Sequence, residues 1–210
     1  MPERLSTGLA GLDAQLGGGY PPGTVHLLVS EPMNALELFC YHFAAGGTKP
    51  GQAKGEGSQY VTTAKLAGEV KAGITQVGGD ASEVTIEPLT LKGPPNVTGS
   101  RYILDCFSEY VLDQGWDKAF KRLQVLAQQA RAAKTLLLVT VVPDLHDAAQ
   151  LARLKLLADG VLDLGFDRQG FGLYPYLKVT KMKGVPDSAR FLLFKETERG
   201  LFMESTRRVF

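Results

Sequence analysis

Ser30, Met33, Ala35, Leu36 and Glu37 occupy one short stretch whose frame, though not its residue types, suits phosphate chemistry. An apolar run, Thr24–Val29, leads into the stretch, and Leu36, Phe39, Cys40 and Phe43 recur behind it at helical spacing. Strand, loop and helix in that order frame the pattern G-x-x-x-x-G-K-[ST]. There, backbone N–H groups surround the phosphates, the lysine bears on their charge and the hydroxyl reaches Mg²⁺. In register, Ser30 and Ala35 stand for the two glycines, Leu36 for the lysine and Glu37 for the hydroxyl residue. Met33 stands where a further glycine is usual.

Each replacement weakens a phosphate site. A residue with a Cβ costs roughly 1–2 kcal/mol in the left-handed backbone region that glycine serves. Leucine for lysine removes a charge-assisted hydrogen bond of roughly 1.5–3 kcal/mol. Glu37 puts a carboxylate where Mg²⁺ and phosphate would sit, and Glu31 adds a second. The sum, about 5 kcal/mol, is a few thousand-fold in affinity. Taken alone, the stretch reads equally well as a plain strand, turn and helix.

The flanking segments favour the phosphate-loop reading. Ser6–Asp13 and Leu16–Gly23 resemble the entry to the KaiC-like branch of the RecA ATPase superfamily. The resemblance continues in family order through Gln59–Thr63, Arg101–Ser108, Leu136–Thr140, Ala158–Leu164, Leu177–Gly184 and Gly200–Met203. It implies a RecA-like α/β fold: a mainly parallel twisted sheet with helices on both faces and antiparallel hairpins at the C-terminal end. In active relatives two acidic residues follow the second strand, one of them the base that activates water. Their positions hold Ala64, which cannot accept a proton, and Lys65, a cation at pH 7. Asp105 matches the acidic residue that helps hold Mg²⁺; its plainer role is a strand-end carboxylate bonded to backbone N–H or to Ser108. Lys181 and Lys183 match a Lys-Met-Arg-Gly block that reaches the neighbouring subunit's nucleotide, with lysine where arginine is usual.

The 210 residues suit a single domain, 1–210, and 44% apolar residues supply a real core. A formal net charge of +1 makes no electrostatic claim on nucleic acid or membrane. No run reaches the ~18 apolar residues of a membrane span. Cys40 and Cys106 read as buried reduced thiols, which suits a cytoplasmic location. His26, His42 and His146 are scattered, with no metal spacing and no Ser or Cys partner in view, so no metal site is expected.

Strands are expected at 24–29, 59–63, 84–91, 102–104, 136–142, 161–165, 176–182, 190–195 and 201–203. Helices are expected at 34–45, 66–77, 117–134 and 151–157. The 117–134 helix carries a basic face, Lys118, Lys121, Arg122 and Arg131, read as solvated surface. Residues 46–57, rich in glycine and charge, read as a surface loop. The resulting expectation is a pseudo-ATPase that binds ATP and Mg²⁺ weakly if at all. It would serve as a binding, regulatory or scaffold subunit, as a homo-oligomer or with an active paralogue. The segment 5–13 and the 181–184 hairpin, which the predicted core does not require, are the candidate contacts. Alternatives are an ATP-binding sensor or weak ATPase with an altered loop, and a structural RNA-binding ring subunit similar to the RecA-like subunits of Elongator.

Overall fold

A computed structural model describes residues 4–47, 57–90, 93–169, 172–185 and 190–204. Nine strands form one sheet in the order β3-β2-β4-β5-β1-β6-β7-β8-β9. The strands at the first six positions run parallel to one another: β1 (Val25–Val29), β2 (Ser58–Thr62), β3 (Val84–Pro88), β4 (Arg101–Asp105), β5 (Leu136–Val141) and β6 (Gly160–Gln169). Then β7 (Gly172–Met182), β8 (Arg190–Thr197) and β9 (Gly200–Met203) extend the sheet antiparallel from β6. Every residue of β1, β2, β4 and β5 is buried; β5 accordingly reads as a nearly continuous apolar run rather than an alternating one, whereas β2 and β4 also bury Ser58, Gln59, Thr62, Arg101 and Asp105.

Among the described residues six α-helices accompany the sheet: α1 (Ala10–Gln15), α2 (Asn34–Ala45), α3 (Ala67–Gln76), α4 (Phe107–Gln114), α5 (Trp116–Ala133) and α6 (Ala148–Leu157). They give the sheet two cores. One gathers Leu12, Leu16, Phe39, Phe43, Ile74 and the inner residues of the antiparallel strands. The other places α4 and α5 over β1, β4 and β5 through Phe107, Phe120, Leu123 and Leu126. The expected fold class, a mainly parallel sheet with helices on both faces and C-terminal antiparallel strands, is the one observed.

Several expectations need correction. Helices α1 and α4 lie where the sequence pattern predicts no helix. The third strand stops at Pro88, and β6 runs to Gln169 because β7 pairs with its whole length. The segment 5–13 belongs to the core: Leu9 and Leu12 are buried, Leu5 pairs with Tyr20, and a Cβ on Gly8 would fall 1.8 Å from the His42 carbonyl oxygen. Cys106 is only partly buried, whereas Cys40 is fully so, and burial pushes the Cys40 thiol up. On the basic face of α5, Arg122 donates to the Pro94 carbonyl and Arg131 to the Leu157 carbonyl, so both have structural work. The 46–57 loop lies, apart from residues 46, 47 and 57, outside the described residues.

Candidate functional site

The carboxyl ends of parallel strands are where an open α/β sheet leaves a crevice, most of all where neighbouring connections run to opposite faces. Here β1 lies between β5 and β6, and the stretch 30–33 leaves its end to enter α2. Ser30 is buried; its N–H donates to the Val141 carbonyl at 3.0 Å and its hydroxyl to the Glu31 carbonyl at 2.6 Å. Met33, extended at φ −155°, forms the cap position of α2 without a capping side chain. Between Ser30 and Glu37 no residue has a positive φ. Ala35 and Leu36 are buried in the core with Phe39 and Phe43, so Leu36 points inward. Glu37, one residue on, has a half-exposed side chain.

Glu37 faces Lys65. The Lys65 ammonium lies 3.5 Å from Glu37 Oε1 and 2.6 Å from Asp105 Oδ2. Asp105 ends β4 and is almost wholly buried. Its Oδ2 also accepts from the Tyr60 hydroxyl at 2.7 Å, and its Oδ1 from Thr140 Oγ1 at 3.2 Å. Three neighbouring strands thus converge on one carboxylate: Tyr60 from β2, Asp105 from β4 and Thr140 from β5. The expectation that Asp105 bonds Ser108 or backbone N–H is corrected by these three side-chain donors. Burial by itself would lower the Lys65 pKa, but Asp105, its hydrogen bond and Glu37 together hold the ammonium above its ordinary range. Tyr60 is held protonated by burial and by the Asp105 carboxylate that accepts its hydroxyl. Ala64 contributes no acid to the cluster. Chemically, the arrangement is a neutralised carboxylate whose oxygens are engaged by donors.

On the other side of the 30–33 stretch a cleft of about 510 Å³ is lined by Ser30, Glu31, Met33, Lys155, Asp163 and Tyr176, among others. Asp163 accepts a hydrogen bond from Thr180.

Lys181 and Lys183 do not join this site. Lys181 Nζ donates to the Lys155 and Ala158 carbonyls at 3.1 and 2.6 Å, at the end of α6 where carbonyls lack helical partners. Lys183 lies 3.4 Å from Asp159, which also pairs with Arg131 and accepts from the Val25 N–H. Burial would raise the Asp159 pKa; the Val25 N–H, Arg131 and Lys183 outweigh it and hold the carboxyl low.

The histidines are each placed by a hydrogen bond. His26 Nε2 lies 2.7 Å from Thr24 Oγ1, and His42 Nε2 accepts from the Leu201 N–H at 2.9 Å. His146 Nε2 lies 2.8 Å from Ser108 Oγ, so the expectation that no serine partners a histidine is corrected. Ser108 is fully buried and also accepts from the Val142 N–H at 2.9 Å, and the His146 ring stacks on Phe107. That pair fastens α4 to the end of β5. Sequence spacing of 38 residues gave no hint of it. Among the described residues no group of three or more His, Cys, Asp or Glu could hold a metal ion. No described helix is long and apolar enough to cross a membrane.

This sheet order, with its switch at β1 and its antiparallel extension, is the RecA-like fold in its KaiC-like form. The crystal structure of a KaiC-like protein from Pyrococcus horikoshii superposes with a TM-score of 0.77 at 17% identity, covering 97% of this chain and all of that one. The chain belongs to the Family of unknown function (DUF7125), which it matches over residues 4–194. It is also 24% identical over 241 aligned positions to a UPF0273 protein of Aeropyrum pernix, covering 97% of this chain and 94% of that protein.

Proposed function

We propose that this chain is a RecA/KaiC-like domain that does not hydrolyse ATP and acts as a binding, regulatory or scaffold subunit. The observation that carries this reading is the Lys65 ammonium seated between Asp105 and Glu37. In the resemblance drawn from sequence, Asp105 and Glu37 stand at the positions of the two Mg²⁺-holding residues, and Lys65 at one of the two acidic positions. A cation supplied by the chain then neutralises the carboxylates that a metal would need. The inward Leu36 and the absence of left-handed backbone between Ser30 and Glu37 support the same reading. A cradle of N–H groups around phosphate is commonly built from such left-handed turns.

The competing reading is a nucleotide sensor, for which the cleft beside Ser30 and Tyr176 offers room. Two measurements separate the readings. Phosphate release from Mg-ATP by the purified chain should stay at buffer background. Thermal unfolding with millimolar Mg-ATP should show no upward shift, since any ligand that binds the native state raises stability by mass action. Turnover that Asp105→Ala abolishes would overturn the proposal; a saturable shift without turnover would favour the sensor.

A further inference from the structure

Strands β7 and β8 do not stay together. Their pairing joins residues 176–179 to residues 190–193 and goes no further. Beyond Tyr176, β7 continues along β6 as far as Gly172; beyond Leu193, β8 continues along β9 as far as Thr197. Residues 172–175 and 194–197 therefore border a gap, and among the described residues no strand pairs with either edge there. A strand sends the N–H and C=O of alternate residues to its two sides, so each parted edge presents backbone donors and acceptors to the gap.

The gap has the size of one short strand. It is a cavity of about 500 Å³, lined by Leu173, Tyr174 and Pro175 of β7 and by Phe194, Lys195 and Glu196 of β8, among others. Four residues of strand are ~13 Å long; at ~4.8 Å between strands and ~10 Å through the layer they fill roughly 600 Å³. The two sides of the gap differ by alternation. Phe194 joins the core on the α2 side, and the period of two puts Leu173 and Pro175 on the same side as Leu177. Tyr174 and Lys195 take the other side. Leu173 is 59% exposed and Tyr174 38%, large side chains that an added strand would cover.

Charge narrows the occupant. Lys195 pairs with Glu204 at 2.8 Å, and Glu204 also lines the gap, so these two cancel and Glu196 leaves the lining net negative. We propose that an extended segment of a partner polypeptide, apolar at alternate residues and basic at the end near Glu196, adds as a strand between β7 and β8. Main-chain hydrogen bonds to the two edges supply its affinity, and the alternating sides of the gap supply selectivity. Because β7 and β8 are antiparallel, the added strand runs parallel to one and antiparallel to the other. A nucleic-acid strand or an anionic membrane calls for net positive charge, which this lining lacks. Pro175, without an N–H, and the charges at Lys195 and Glu196 keep the gap from taking any strand indiscriminately. The inference names what the binding subunit proposed above would bind. Peptide binding and phosphate release are separate measurements, so either reading can fail alone.

The test is fluorescence polarisation of the full chain with a labelled heptapeptide that alternates valine and threonine and carries arginine at both ends. Binding should saturate, and a peptide with glutamate at both ends should bind about tenfold more weakly. The same peptide N-methylated at every valine should not bind, because one edge of its ladder is blocked. Glu196→Lys should reverse the preference between the arginine-ended and glutamate-ended peptides, which a mere loss of folding cannot do. Hydrogen exchange locates the contact: amides of residues 172–174 and 194–197 should slow when the arginine-ended peptide is added. No saturable binding up to millimolar peptide would overturn the inference, since main-chain pairing tolerates many side chains. Equal binding of the N-methylated peptide, or no change at those amides, would do the same. A dimer of the peptide-free chain with those amides already protected would assign the gap to a second copy instead.

Discussion

Lys65 Nζ and Asp105 Oδ2 are 2.6 Å apart, joining the turn after β2 to the end of β4 through an ion pair whose carboxylate is almost entirely out of water. Taking one partner from a buried pair leaves the other charge unsolvated, at about 3–5 kcal/mol. The Lys65 side chain keeps 18% exposure, so solvent can relieve part of that cost. Lys65→Met should therefore destabilise by about 2–3 kcal/mol in denaturant unfolding, below that range. Asp105→Asn in the Lys65→Met background should recover part of the loss, since it removes the orphaned charge. A double variant no more stable than Lys65→Met would count against this account of the pair.

Removing the ammonium while keeping the acids should uncover a cation preference. In Lys65→Ala, Glu37 and Asp105 remain with Thr140 beside them. Carboxylate oxygens suit Mg²⁺ or Mn²⁺. Millimolar Mn²⁺ should raise the thermal midpoint of Lys65→Ala and leave the wild type unchanged. Equal shifts in both proteins would show that the metal acts elsewhere.

Leu36 gives a third expectation. It packs with Phe39 and Phe43, so Leu36→Lys alone should destabilise by about 2–4 kcal/mol through an unpaired buried charge. Combined with Met33→Gly, Ala35→Gly and Glu37→Thr, the same lysine gains a loop able to open. The fourfold variant should show a Mg-ATP-dependent thermal shift that the single variant lacks. If Leu36→Lys by itself is neutral, the inward packing of Leu36 is not what holds the stretch in place.

Acid sensitivity should trace in part to His26. Burial lowers its pKa to about 3, with Asp159 opposing, against about 6.5 in an unfolded chain. Between those values the unfolded chain binds the extra proton. The stability contribution is thus complete above about pH 6.5 and declines as pH falls toward 3. His26→Gln can keep a donor toward Thr24 and has no proton to gain. Its stability should fall less steeply across that window than the wild type's. Parallel slopes would assign the acid response to other groups, His146 among them, whose pKa burial also lowers despite Gln150 and Asp147.

The sequence carried much of the parallel half of this molecule well, because β1 and β5, buried throughout, are mostly apolar and helices α2 and α5 keep their period. It carried α4 poorly: Asp105 runs through Cys106 straight into Phe107 with no turn residue between, and Gly115 alone punctuates the far end. The length of β6 was hidden because Gly165, Phe166 and Asp167 lack alternation and are ordered by pairing with β7. At the site, the residue types at Leu36, Glu37, Ala64 and Lys65 were visible as departures from a pattern. Lys65 read as a lost acid; only the approach of β2 to β4 shows it as a partner for Asp105. Lys181 read as reaching outward, yet the nearest unpaired carbonyls lie within the same chain, at the end of α6.

The strand order also governs when the molecule can be finished during synthesis. Strand β1 is made early, but its two neighbours are β5 and β6, whose first residues are Leu136 and Gly160. His42 on α2 waits still longer, for the N–H of Leu201, 159 residues away. Such long separations slow folding, because loop closure precedes the contacts that reward it. The growing chain cannot pair either edge of β1 until β5 and then β6 have been made. A nascent chain of this design is a natural client for chaperones that shield hydrophobic segments.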